Sequence, residues 1–134
     1  MKLVFGLVLL ALVAGAAYVR LAPTDPKHWH GMPQSVSPGD LDGGAIRVVS
    51  GDLAALDAII RATPRTQVLA GDVAQGMITY VTRSRVFGFP DYTTVRQNGA
   101  QLEIYGRLRF GKSDLGVNAA RIDGWLQRLG QAGG

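Results

Sequence analysis

The stretch Asp91–Phe110, DYTTVRQNGAQLEIYGRLRF, constrains the fold more than any other part of the chain. Its centre, Asn98-Gly99, is the dipeptide preferred by a two-residue type I′ turn, because both central positions of that turn need positive φ. Counting outward pairs Gln97 with Ala100, Arg96 with Gln101, Val95 with Leu102, Thr94 with Glu103, Thr93 with Ile104 and Tyr92 with Tyr105. Side chains alternate across a strand, so Thr93, Val95, Leu102 and Ile104 share one face, continued by Leu108 and Phe110. Tyr92, Thr94, Arg96, Glu103, Tyr105, Arg107 and Arg109 share the other. A hairpin with one apolar face needs a layer to cover it.

Two segments have the pattern to do so. In DLAALDAIIR, Asp52–Arg61, the residues Leu53, Leu56, Ile59 and Ile60 fall on one side of a helix, with Gly51 or Asp52 as cap and Pro64 beyond the end. Near the C-terminus Ile122, Trp125, Leu126 and Leu129 recur at helical spacing, with Asn118 as N-cap and Gly130 as terminator. Thr66–Ala70 reads as a short strand, and Met77–Phe87, rich in β-branched and aromatic residues, as a longer one. Gly88–Asp91, GFPD, interrupts that pattern, since Pro90 cannot donate to a central ladder. The expected fold is α+β: an antiparallel sheet of three to four strands with two helices on one face. The expected organisation is an N-terminal segment 1–20, a tether 21–44, one domain 45–130 and a flexible tail 131–134.

Leu3–Val19 is an uninterrupted apolar run between Lys2 and Arg20. It has the length of a short membrane-spanning helix, and Ala14-Gly15-Ala16 also has the form of a signal-peptidase site. The expected address is therefore the bacterial inner membrane with the domain in the periplasm, or secretion to the periplasm after cleavage near Ala16. LVAGA resembles a lipoprotein box, but Ala16 stands where a lipidated cysteine is required, which excludes a lipoprotein. The chain has no cysteine, so disulfides, Cys-based zinc sites and thiol nucleophiles are excluded as well.

Leu21–Gly44 carries prolines and glycines with no helical or strand period, so it either extends from the membrane or lies across the domain surface. Within it His28 and His30 have a spacing that can bring two imidazoles together, but two ligands do not close a zinc site. Trp29, close behind the apolar run, fits an aromatic residue at headgroup level. No metal or other cofactor is expected.

GRLRFGKSDLGVNAARIDGWL, with RSRVFGFPDYTTVR before it, resembles bacterial domain-of-unknown-function family 1499. In that family a basic strand runs into G-x-S-D-L-G-x-N and an amphipathic helix, and Gly111, Ser113, Asp114, Leu115, Gly116 and Asn118 match that pattern here. Arg83, Phe89 and Asp91 suit it as well, and the resemblance covers roughly Ala45–Leu129. Many members carry a Pro-Asn-Cys-type segment before the first helix, whereas Pro33-Gln34-Ser35 here has no cysteine. The resemblance implies a fold and no established reaction.

Lys112, Ser113 and Asp114 form no recognisable catalytic constellation, since consecutive residues on a turn seldom converge on one reacting atom. The structural alternative is a turn in which Ser113 or Asp114 accepts backbone N–H bonds while Gly111 and Gly116 supply unusual φ and Asn118 opens the helix. No phosphate loop or nucleophile elbow is present. No catalytic residue is assigned and no enzyme is expected.

The chain is basic, with 14 Lys and Arg against 10 Asp and Glu. Arg107 and Arg109 alternate on the polar side of the hairpin, Arg83 and Arg85 have the same spacing on the neighbouring strand, and Arg96 and Lys112 lie nearby. Arginine forks suit phosphates and carboxylates. The same residues also fit a solvated face paired with Glu103 and the aspartates. The expected function is a non-enzymatic interaction module whose arginines meet an anionic lipid or an acidic protein surface, with membrane contact through Leu3–Val19 and no nucleic acid. Two alternatives stand beside it. One is a small-ligand, lipid-binding or hydrolytic cavity between sheet and C-terminal helix; the other is an accessory subunit of a membrane complex.

Overall fold

The computed structural model describes residues 1–133. It contains α1 (Lys2–Leu21), α2 (Pro26–Trp29), β1 (Gly39–Leu41), β2 (Gly44–Ser50), α3 (Leu53–Arg61), β3 (Thr66–Asp72), β4 (Met77–Arg83), β5 (Pro90–Asn98), β6 (Gln101–Leu108) and α4 (Val117–Gly133). The strands form one antiparallel sheet in the order β1-β2-β6-β5-β4-β3.

The sheet thus has six strands where three to four were expected. The two additional strands are β1 and β2. In β2, GAIRVVS, Arg47 interrupts the apolar run and masks its strand character. Arg47 is accommodated because Asp123 of α4, at 2.8 Å, and Asp40 of β1, at 2.7 Å, hold its guanidinium. The segment Leu21–Gly44 has no helical or strand period in its sequence, yet it contains α2, capped by the Asp25 carboxylate, and β1, which pairs with β2. At the C-terminus α4 runs through Gly130 to Gly133, so Gly130 does not end it. Of the expected tail 131–134, Gly134 lies outside the described residues.

The central hairpin is displaced by two residues from the expected register. Asn98 pairs with Gln101, Val95 with Ile104 and Thr93 with Gly106. Gly99 has φ 61 and Asn98 stays in the strand, so Gly99 and Ala100 form the two-residue loop. Positive φ at the first central residue alone is the pattern of a II′ turn, which needs glycine there and places no demand on Asn98. A two-residue shift preserves facing, so the division of β5 and β6 into an apolar and a polar face is as expected.

The apolar face carries the core. Ile78 and Tyr80 of β4, Val95 of β5, Leu102 and Ile104 of β6 and Ala45 of β2 pack against Leu53, Leu56 and Ile60 of α3 and Ile122 and Trp125 of α4. Each fully buried aliphatic side chain contributes about 1.5–3 kcal/mol of transfer free energy. Gly106 lets α4 approach closely, because a Cβ there would lie 2.9 Å from Ile122 Cδ1. Leu108, on the same face of β6, is half-buried and is not among the residues of this cluster. Phe110 does not continue the face; it meets the ring of Tyr18 edge-on, at the end of α1.

Candidate functional site

The polar face of the sheet is covered as well, by the chain between α1 and β1. Trp29 stacks on Tyr92 with ring centroids 4.1 Å apart, so it packs on the sheet instead of standing free as an interfacial aromatic. His30 Nδ1 lies 2.8 Å from Thr79 Oγ1, and His28 meets Trp29 edge-on. The arginines expected on this face hold the covering segment in place. Arg107 donates to the Trp29 carbonyl and to Thr94 Oγ1, and its guanidinium lies over the Tyr105 and Trp29 rings. Arg109 donates to Thr24 Oγ1, the Pro23 carbonyl and the Tyr92 hydroxyl. Arg96 pairs with Glu103 at 2.8 Å and donates to the Pro33 carbonyl. Burial pulls the Arg107 guanidinium below its ordinary pKa, the nearby tyrosines offsetting this in part.

Arg83 and Arg85 lie apart from these three. Arg83 ends β4, and Arg85 sits beyond it in the β4–β5 loop, not on the strand where the alternation suggested. Both line an open cleft of about 360 Å³ together with Arg20 and Arg65. The four guanidinium groups have no carboxylate among the lining residues. Arg20 donates to the carbonyls of Val86, at 2.7 Å, and Phe87, at 3.2 Å. Arg65 Nε donates to the Arg83 carbonyl at 3.1 Å, and Arg83 Nη1 to the Gly88 carbonyl at 2.9 Å. Arg85 is exposed and has no hydrogen-bond partner among the described residues. Carbonyls satisfy donors without cancelling charge, so the cleft holds four positive charges with no counter-charge of its own.

Local backbone builds this cleft. Arg65 has φ 57, a left-handed conformation held by a backbone bond from Arg83 N to Arg65 O at 2.9 Å. Gly88, at φ 73, lets the loop turn against Arg20; a Cβ there would lie 3.0 Å from Arg20 Cγ. Ser84 closes the loop, its N donating to the Phe89 carbonyl and its Oγ accepting from Phe89 N, both at 2.9 Å.

Neither Arg20 nor Arg65 was singled out by the sequence as a site residue. Arg20 reads there as the end of an apolar run, and Arg65 sits in a turn, TPRT, with no partner at strand or helix spacing. Only the antiparallel pairing of β3 with β4 brings Arg65 beside Arg83.

The GKSDLGVN segment joins β6 to α4. Ser113 Oγ accepts from Leu115 N at 3.2 Å, and Asp114 accepts from Gly116 N at 3.0 Å and Asn118 N at 2.9 Å. Gly111 and Gly116 have φ 100 and 80, and Leu115 joins them at φ 54. Asn118 lies inside the first turn of α4 and is fully buried, so it is not the N-cap; the capping acceptor is Asp114. Burial works against the charged Asp114, but the bonds from Asn118 and Gly116 outweigh it and hold the carboxyl below its ordinary value. Arg121 donates to Asn118 Oδ1 and to the Asp91 carboxylate, both at 3.1 Å. Lys112 is exposed at the edge of this turn.

These features define a small α+β domain behind an apolar helix, with helices on one face of the sheet, a strap on the other and an arginine cleft at the end nearest α1. The chain belongs to the DUF1499 family, proteins of unknown function, whose family model matches residues 32–129. The match takes in Arg65, Arg83 and Arg85 and leaves out Arg20. No curated protein and no solved structure matches the chain.

Proposed function

We propose that this protein is a non-enzymatic binding module of the bacterial envelope, held at the membrane by α1, that takes an anionic group in the cleft of Arg20, Arg65, Arg83 and Arg85. One observation carries the reading: four arginines are among the residues that line one cleft, and no carboxylate residue is. An anion there gains charge-assisted, bidentate hydrogen bonds and relieves the repulsion among the arginines. The strapped face is the weaker candidate, because the segment that Arg96, Arg107 and Arg109 hold lies over it, whereas the cleft is open. The helix α1 is long and apolar enough to cross a membrane, and a signal sequence would have the same character. Cleavage near Ala16 would leave Arg20 on the domain, so the cleft survives either topology.

A cavity between the sheet and α4 finds no support where it would have to lie. Gly106 is in close contact with Ile122 and Asn118, and the indole of Trp125 is buried and bonded to Thr63 Oγ1 at 2.8 Å. The full chain in uncharged detergent micelles, titrated with glycerol phosphate, tests the reading through the arginine Nε–H resonances. Shifts at Arg65 and Arg85, with affinity weakened about tenfold by Arg85→Gln, are expected. No shift at either residue would remove the proposal. Co-purification with a stoichiometric membrane complex through α1 would favour the accessory-subunit reading.

A further inference from the structure

The β4–β5 loop that walls the arginine cleft also presents the most concentrated apolar surface on the domain. Val86 is 69% exposed, Phe87 58% and Phe89 42%, and the rings of Phe87 and Phe89 lie 5.9 Å apart. Large side chains exposed in a cluster mark an interaction surface, whereas scattered ones do not. The cluster is held in a closed loop by the Ser84–Phe89 bonds and by Arg83, so its exposure is part of the folded form.

The position of this loop relative to α1 indicates what it meets. The 20 residues of α1 rise about 30 Å, the thickness of a bilayer's hydrocarbon core. Arg20 stands at the last turn of that helix, the level at which a long cationic side chain reaches the headgroups. Its guanidinium is bonded to the carbonyls of Val86 and Phe87. The loop is therefore fastened to the one side chain that marks the membrane boundary, with arginines on one side of it and apolar side chains exposed beside them.

We infer that the β4–β5 loop docks on the bilayer surface, with the phosphate of an anionic phospholipid held among Arg20, Arg65, Arg83 and Arg85 while Val86, Phe87 and Phe89 enter the interfacial layer. This rests on the reading of the cleft as an anion site and of α1 as a membrane helix, and it names the ligand. A phospholipid supplies both complements in one molecule, a phosphate for the arginines and an apolar layer for the exposed side chains beside them. A free phosphate or an acidic protein segment would answer the arginines and leave the phenylalanines in water.

The absence of native cysteine allows a direct test on the full chain. Phe87→Cys, labelled with an environment-sensitive dye, is reconstituted in nanodiscs of phosphatidylcholine alone or mixed with phosphatidylglycerol. Ala74→Cys, in the β3–β4 turn at the opposite end of the sheet, is the reference. In the anionic discs the dye at 87 is expected to be about threefold less accessible to acrylamide than the dye at 74, with the protection reduced in phosphatidylcholine. Arg85→Gln should reduce it as well; that residue is exposed and has no hydrogen-bond partner among the described residues, so its loss does not threaten folding. Arg65→Gln should act in the same direction.

Equal quenching at 87 and 74 in both discs overturns the docking. Protection at 87 that ignores both lipid charge and Arg85→Gln overturns the placement of the headgroup in the cleft. The micelle titration separates the two levels of the argument. Glycerol phosphate binding in micelles with an exposed position 87 in nanodiscs would keep the anion site and remove the lipid. Failure of the titration together with charge-independent quenching would remove both.

Discussion

The two faces of the sheet are covered by different physics. On one, α3 and α4 bury aliphatic and aromatic side chains, an attraction that is non-directional and tolerant of which residue meets which. On the other, residues 22–34 are held by individual bonds from Arg96, Arg107 and Arg109 to backbone carbonyls and hydroxyls, together with the Trp29–Tyr92 stack. Arg107 is the extreme case, a guanidinium held by neutral partners and two aromatic rings. A face built this way is specific, and each of its bonds is individually removable. It also withdraws three arginines from the surface, which leaves the cleft beside α1 as the concentrated positive charge.

The largest effect is expected on the helix face. Trp125→Ala should destabilise the domain by about 3–5 kcal/mol, since it empties a buried site and leaves Thr63 Oγ1 without its indole donor. Global unfolding of the full chain in detergent, followed by urea, measures it; a loss confined to fraying of α4 would show that this face is not one cooperative unit.

Arg107→Met tests the strap face. It keeps much of the stem's packing and removes the charged bonds, so a loss of about 1.5–3 kcal/mol is expected. The damage should be local: residues 22–34 gain protease sensitivity and Trp29 fluorescence changes, while amides of α3 and α4 exchange as before. Equal protection of the strap in the variant would mean that the Trp29–Tyr92 stack alone holds it, and the contrast between the faces would fail.

This contrast also explains what the sequence disclosed. Period-two alternation in β5 and β6 and helical spacing in α3 and α4 report burial, so most of the apolar face was legible, the exceptions being Ala45 on the unrecognised β2 and Phe110, which leaves the face for Tyr18. The polar face was legible as a set of residues and not as a surface, because Arg107 and Arg109 alternate identically whether water or another chain segment lies over them. The covering segment, with its prolines, has no period to announce it, and α2 is a single capped turn. Arg47 hid β2 because its partner Asp123 is distant in sequence. The cleft was half-legible. Arg83 and Arg85 were visible as a pair, but Arg20 and Arg65 join them only through tertiary structure.

The hairpin sharpens the point at the level of single residues. Gly99→Ala should cost about 1–2 kcal/mol, since φ 61 forces the new Cβ against its own backbone. Asn98→Ala should change stability by less than about 0.5 kcal/mol, because Asn98 is an ordinary strand residue with an exposed side chain. If Asn98→Ala were the costlier of the two, the turn would sit on Asn98-Gly99 in solution and the register would be the one the dipeptide suggests.

A small effect that depends on pH lies where the sheet hands over to α4. Asp114 has its folded pKa held below the ordinary 3.8, so its contribution is fully present above that value and is lost as pH falls through the folded pKa. Asp91 acts in the opposite sense: burial raises its pKa and Arg121 offsets this only in part, so stability falls as pH rises through the window above 3.8. Asp114→Asn should therefore lose about 1 kcal/mol at neutral pH, the scale of a helix cap, with the gap to wild type closing below about pH 4. Asp91→Asn should remove the opposing slope and leave wild type and variant closest at the acid end. Melting temperatures of the full chain across that range read both, and a constant gap for Asp114→Asn at every pH would assign its role to hydrogen-bond geometry alone, with no part for the charge.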